Sequence, residues 1–169
     1  YPDSDEGRGQ AIVDFWIGKA PNGTEASPEN PSMQDRFINM WKYVVARYKN
    51  ESAVLGYDVL NEPPRTDNLF SGGFDGYETA GYLYPFYLRL IDVIREVDTN
   101  HIIIYEPVSI PIHTESAEIL DRPNLIFSFH FYDLKDNYSG NKSDLENAFV
   151  NKYWNLPVAN PLKNWGIPI

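Results

Sequence analysis

The chain has 169 residues, a length that supports one domain with a real core. Its 14 basic and 24 acidic residues give a formal net charge of −10, which argues against nucleic acid or an anionic membrane as partner, since both call for a basic surface. Cysteine is absent, which removes disulfides, thiolate nucleophiles and Cys-based metal sites, and no apolar run approaches the roughly 20 residues that span a bilayer.

Residues 1–30 are polar and rich in Gly, Pro, Asp and Glu, and only 11–17 is apolar. They read as a long surface loop with one short element, in which Trp16 is an anchor rather than a stacking platform. Ser32 is a helix cap, with Asp35 three positions on. Phe37, Met40, Trp41, Val44, Val45 and Tyr48 follow at helical spacing and predict a helix packed on a sheet. A strand over 53–61 comes next. It is ended by Pro63 and Pro64, which lack the N–H that a central strand needs. After a loop rich in Gly, Asp and Asn (65–76), a helix is predicted over 83–97, with Pro85 near its first turn and a buried stripe of Phe86, Leu90, Ile94 and Val97. The strand at 101–107 ends, like the first, in Glu-Pro. A turn of helix at 115–120, a strand at 124–133, a polar loop, a weak helix at 143–153 and the start of another strand at 166–169 complete the order.

Strands that are near-continuous apolar runs, alternating with helices, predict an α/β fold with a parallel sheet buried on both faces. No linker divides the chain. No Gly-rich phosphate loop follows a strand, and neither an HExxH nor a Gly-x-Ser-x-Gly pattern occurs, so nucleotide binding, metal hydrolysis and serine hydrolysis have no support. The sequence calls for no metal and no cofactor.

Three strand ends carry polar groups. Asn61 and Glu62 close the first. A lone Glu at an apolar strand tip is a natural general acid, because burial raises its pKa towards neutrality. Strict alternation puts Asn61 and Glu62 on opposite faces, so a twist or bulge is needed for both to face one site. Glu106 closes the second strand. In the third, Phe127, Phe129 and Phe131 share one face while Ser128, His130 and Tyr132 share the other. On these grounds His130 reads equally as a partnered core histidine or as a site residue. The 12 Tyr, 9 Phe and 4 Trp read chiefly as core, with stacking on sugars as the functional alternative.

At these residues the chain resembles family 5 of the glycoside hydrolases, the cellulase-like branch of the (β/α)8 retaining glycosidases. Residues 56–63 (GYDVLNEP) resemble the family's fourth-strand signature, and His130-Phe131-Tyr132 its His-x-Tyr at the sixth strand. The segment 86–108 is similar to the endoglycoceramidase-like members. The resemblance implies a partial TIM barrel, from about strand 3 or 4 to the start of strand 7, with residues 1–169 forming a single incomplete catalytic domain. It implies a retaining β-glycosidase acting on β-glucan-type polysaccharide, on other β-linked glycosides or on glycolipid. A non-catalytic carbohydrate-binding relative is the alternative. By position, Glu62 is the general acid/base, Asn61 holds the sugar 2-hydroxyl, Tyr132 bonds the nucleophile and His130 lines the −1 sugar site. Glu106 is carried as a subsite residue, with a substitute nucleophile as its alternative role. The family's nucleophile is a Glu ending the seventh strand, which is expected just beyond Ile169. An open half-barrel with unpaired strand edges is expected to be inactive on its own. Four Asn-x-Ser/Thr patterns, at Asn22, Asn50, Asn137 and Asn141, point to the secretory pathway, where about one is expected by chance.

Overall fold

The computed structural model describes residues 1, 3–66, 73–108, 118–128 and 130. Tyr132, the segment 115–117 of the expected helical turn, the loop after Asp133, the expected helix at 143–153, the expected strand at 166–169, and Asn137 and Asn141 lie outside them. The described residues form α1 (Asp5–Trp16), α2 (Met33–Tyr48), β1 (Gly56–Asp58), α3 (Gly76–Arg95), β2 (Ile102–Tyr105) and β3 (Leu125–Phe127).

The strands pair in chain order, β1-β2-β3, and all are parallel. Tyr57 lies beside Ile103 and Ile103 beside Leu125, while Asp58, Ile104 and Ile126 make the next row. Regular strand is shorter than the sequence predicts, but pairing runs on past it. The N–H of Val59 donates to the Ile104 carbonyl at 3.2 Å, and the N–H of Ser128 to that of Tyr105 at 2.9 Å.

Alternation along the strands divides the sheet into two faces. Tyr57, Val59, Ile103, Tyr105 and Phe127 are buried on the helix side, in one cluster with Leu83, Tyr87, Leu90 and Ile94 of α3. Tyr105 meets Tyr87 and Phe127 edge-on, with ring centroids 5.7 and 5.3 Å apart. Each such side chain contributes about 1.5–3 kcal/mol by burial, so this layer fixes the sheet to α3. Ile102, Ile104 and Ile126, on the other face, are only half-buried.

α2 starts at its expected cap, where the Ser32 hydroxyl accepts the Asp35 N–H at 3.0 Å. Its inward positions are Gln34, Ile38 and Val45, whereas Met40 and Tyr48, expected inside, are exposed. Gln34 earns its burial through hydrogen bonds. Its amide nitrogen donates to the carbonyls of Phe15 and Trp16, the end of α1, and its oxygen accepts from Arg89 of α3.

Two helices correct the sequence reading. Where a loop was expected, α1 runs for 12 residues, capped by Ser4 accepting from the Gly7 N–H. Gly7 and Gly9 weaken its apolar period, yet both are buried. Trp16 at its end is 3 % exposed and packs edge-on against Phe15 and Phe86, which fits an anchor. α3 begins seven residues earlier than expected. Asp75 and Glu78 form a reciprocal cap, each accepting the other's backbone N–H at 2.9 and 3.1 Å. Pro85 therefore stands inside the helix and not in its first turn. The carbonyl it leaves without a donor is that of Gly81, an exposed residue with open space around it, so water can replace the missing bond.

Candidate active site at the strand tips

All three strands end on the same edge of the sheet, and the groups that follow them come together. The backbone turns sharply after β1, and Glu62 takes a φ of +46°. A non-glycine residue in this region costs about 1–3 kcal/mol and persists only where its surroundings hold it. Here the holding group is Glu106, whose Oε2 accepts the Glu62 N–H at 2.8 Å.

The turn aims the Glu62 side chain across the sheet edge to His130. Nδ1 of His130 lies 2.6 Å from Glu62 Oε1, and Nε2 of the same ring lies 3.2 Å from Glu106 Oε1. The imidazole thus bridges two carboxyl groups from two different strand ends. The side chains of Glu62 and His130 keep 27 % and 36 % of their exposure, so a ligand can reach them, whereas Glu106 is 2 % exposed. Glu106 is also fastened from behind. The Tyr87 hydroxyl of α3 donates to its backbone carbonyl at 3.0 Å.

The electrostatics follow from this packing. Burial pushes the Glu106 carboxyl pKa up, the Glu62 N–H and the charge of His130 pull it down, and Asp58 and Glu62 push it up again. The hydrogen bond that His130 donates to the Glu62 carboxylate raises the pKa of His130, partial burial opposes this, and the charges of Glu106, Glu62 and Asp58 add to the rise. Asp58 was not singled out by sequence. It stands on the inner face of β1 at an exposed position, with partial desolvation raising its pKa and His130 lowering it. The signal for it was available, since Asp58 and Glu62 are an even number of residues apart on one strand.

The sequence-derived residues fare differently. Glu62 and His130 are brought together. Glu106 joins them as the buried member of the group, with Oε2 accepting the Glu62 N–H at 2.8 Å and Oε1 3.2 Å from His130 Nε2. Asn61 is exposed, outside this hydrogen-bonded group. Tyr132 lies outside the described residues. The following loop is tied at its base, where Thr66 N–H donates to the Phe74 carbonyl at 3.0 Å and Phe74 N–H to the Thr66 hydroxyl at 2.7 Å.

Residues 9–169 match the family model described as Cellulase (glycosyl hydrolase family 5). Endoglucanase C of Acetivibrio thermocellus is 24% identical over 106 residues, which is 62% of this chain and 27% of that protein. An endoglycoceramidase of Hydra vulgaris is 33% identical over 85 residues, 46% of this chain and 15% of that protein. Among solved structures, the endo-glycoceramidase II of Rhodococcus sp. in its five-membered iminocyclitol complex is similar with a TM-score of 0.63 and 26% identity, covering 86% of this chain and 32% of that one. The chain thus spans roughly a quarter of the length of the curated endoglucanase it matches. The match takes in nearly all of its residues, and the parallel sheet with its helical crossover is part of a (β/α)8 barrel: the chain belongs to glycosyl hydrolase family 5.

Proposed function

We propose that the protein is a retaining β-glycosidase, acting on β-glucan-type polysaccharide or another β-linked glycoside, with Glu62 as general acid/base. The supporting observation is the Glu62 carboxyl group: it is reachable from solvent, sits at a parallel strand tip where barrel enzymes mount their chemistry, and is oriented by His130 at 2.6 Å. In this reading Glu62 gives its proton to the leaving glycosidic oxygen as the C1–O bond breaks. A second carboxylate, about 5 Å from the first in retaining enzymes, bonds to C1. Glu62, now ionised, then takes a proton from water, whose oxygen displaces the enzyme carboxylate. The nucleophile is the Glu that the family carries at the end of its seventh strand. Asn61 holds the sugar 2-hydroxyl, Tyr132 bonds the nucleophile and His130 borders the −1 sugar while steadying Glu62.

A glycolipid substrate is the second reading. It is supported by the 33% identity to the Hydra endoglycoceramidase and by the likeness, at 28% identity, to the Rhodococcus endo-glycoceramidase II in its ganglioside GM3 complex. Exposed glycosylation patterns at Asn22 and Asn50 support passage through the secretory pathway.

Glu62→Gln in the full-length protein tests the role. Turnover of a glycoside with a poor leaving group is expected to fall by about 10²–10⁴, the worth of general acid catalysis. An aryl glycoside whose leaving group needs no proton is expected to retain its first step. Equal rates for variant and parent on the poor leaving group overturn the proposal. Binding of glycan without turnover in the parent points to a carbohydrate-binding relative.

A further inference from the structure

Glu106 is the least accessible carboxyl group at the strand tips, 2 % exposed beside the half-buried Glu62 and His130. Its two oxygens are divided between two tasks. Oε2 holds the N–H of Glu62, a residue with a backbone φ of +46°, and Oε1 lies 3.2 Å from Nε2 of His130, whose other nitrogen meets the Glu62 carboxyl. The chain of contacts therefore leaves Glu106 and returns to Glu62 by two routes, one through its backbone and one through its side chain. We propose that Glu106 is a positioning residue for the acid/base, which pins the left-handed turn at Glu62 and, through His130, fixes the orientation and charge of the Glu62 carboxyl group. This rests on the reading of Glu62 as general acid/base.

An imidazole between two carboxyl groups donates from both nitrogens when it is protonated, and buried Glu106 is the anion that favours that form. Among the described residues, the charged groups facing His130 are Glu62 and Asp58 from the first strand and Glu106 from the second. The Tyr87 hydroxyl of α3 backs the Glu106 carbonyl. Glu62 Oε1 and His130 Nδ1 lie 2.6 Å apart, so a proton held at this contact belongs to the site as a whole. Removing the Glu106 charge makes that proton easier to lose, whichever group carries it.

The test uses the full-length protein and the pH dependence of kcat/KM. In Glu106→Gln, which keeps an acceptor for the Glu62 N–H but no charge, the basic limb is expected to move to lower pH by about one unit, as for a charge removed a few ångströms away at a half-exposed site. A merely structural role lowers the melting temperature and leaves that limb in place, and an unmoved limb overturns the proposal. If Glu106→Gln does not fold, Glu106→Asp decides. It keeps the charge but is too short to reach both partners, so kcat is expected to fall at least tenfold with the basic limb retained, and parental kcat overturns the proposal. Glu62→Gln, run in parallel on good and poor leaving groups, separates the outcomes. If it fails to discriminate leaving groups, the acid/base reading has failed. If it does discriminate and the Glu106 variants behave as the parent, only the positioning role has failed.

Discussion

The backbone N–H of Glu62 donates to the Glu106 carboxylate at 2.8 Å, so the ends of two neighbouring parallel strands are fastened to each other by an acid and not by the sheet ladder. A buried carboxylate is a strong acceptor, and it stands where the chain has already left the regular strand. The strained turn at Glu62 and the placement of its side chain are thus consequences of one neighbour.

That strain sets stability against activity. Glycine adopts positive φ without the steric cost that other residues meet. Glu62→Gly is expected to match or exceed the parent in a chemical denaturation midpoint while losing turnover of substrates with poor leaving groups. A fall of more than about 1 kcal/mol would mean that the Glu62 side chain is held more by its contacts than by the turn.

The close approach of β1 to β2 makes a second prediction. A Cβ added at Gly56 would stand 2.4 Å from the Ile102 carbonyl oxygen and 2.9 Å from the Ile102 Cβ. Backbone cannot swing aside as a side chain can. Gly56→Ala is expected to destabilise the protein by about 2–3 kcal/mol, read by denaturant unfolding. A neutral result would show that the strand pair can separate locally without cost.

Asp98, at the opposite end of the sheet, predicts an acid transition. Burial alone would raise its pKa. The N–H groups of Asn100 and His101, the Tyr57 hydroxyl and the His101 ring outweigh this and bring it to about 2. A carboxyl with a depressed folded pKa adds stability above its unfolded value, near 3.8, and that stability is lost as pH falls towards 2. Asp98→Asn is expected to cost about 2 kcal/mol at pH 7, with the gap to the parent closing between pH 4 and 2. A gap that stays constant over that range refutes the assignment.

Tyr87→Phe removes the donor to the Glu106 carbonyl, a bond of 3.0 Å in the core. The cost is expected at about 1–2 kcal/mol, since a buried acceptor is left unsatisfied. If Glu106 positions Glu62 as proposed, kcat falls with it. Thermal unfolding and turnover on the same preparation check both.

Much of this was legible in the chain. The Ser32 cap, the strand tips at Glu62 and Glu106, and the face shared by Ser128 and His130 all follow from local chemistry and a period of two. What escaped had diluted or non-local signals. Gly7 and Gly9 interrupt the apolar period of α1, although Ser4 with Asp5 and Glu6 behind it was a readable helix start. The first turns of α3 carry little apolar pattern, yet Asp75 and Glu78 have capping-box spacing. The division of Glu106 between Glu62 and His130 joins residues 44 and 68 positions apart in sequence, measured from Glu62, and no local rule encodes it.

The sheet's two faces also give the chain two rates of change. Tyr57, Ile103, Tyr105 and Phe127 answer to the helices, and altering them risks the fold. Asp58, Ile104, Ile126 and Ser128, one step away along the same strands, answer to whatever lies above the opposite face. If the protein acts on glycans as proposed, a library confined to those inward positions samples specificity at little risk to folding, because the helix-side residues that hold the sheet are left untouched.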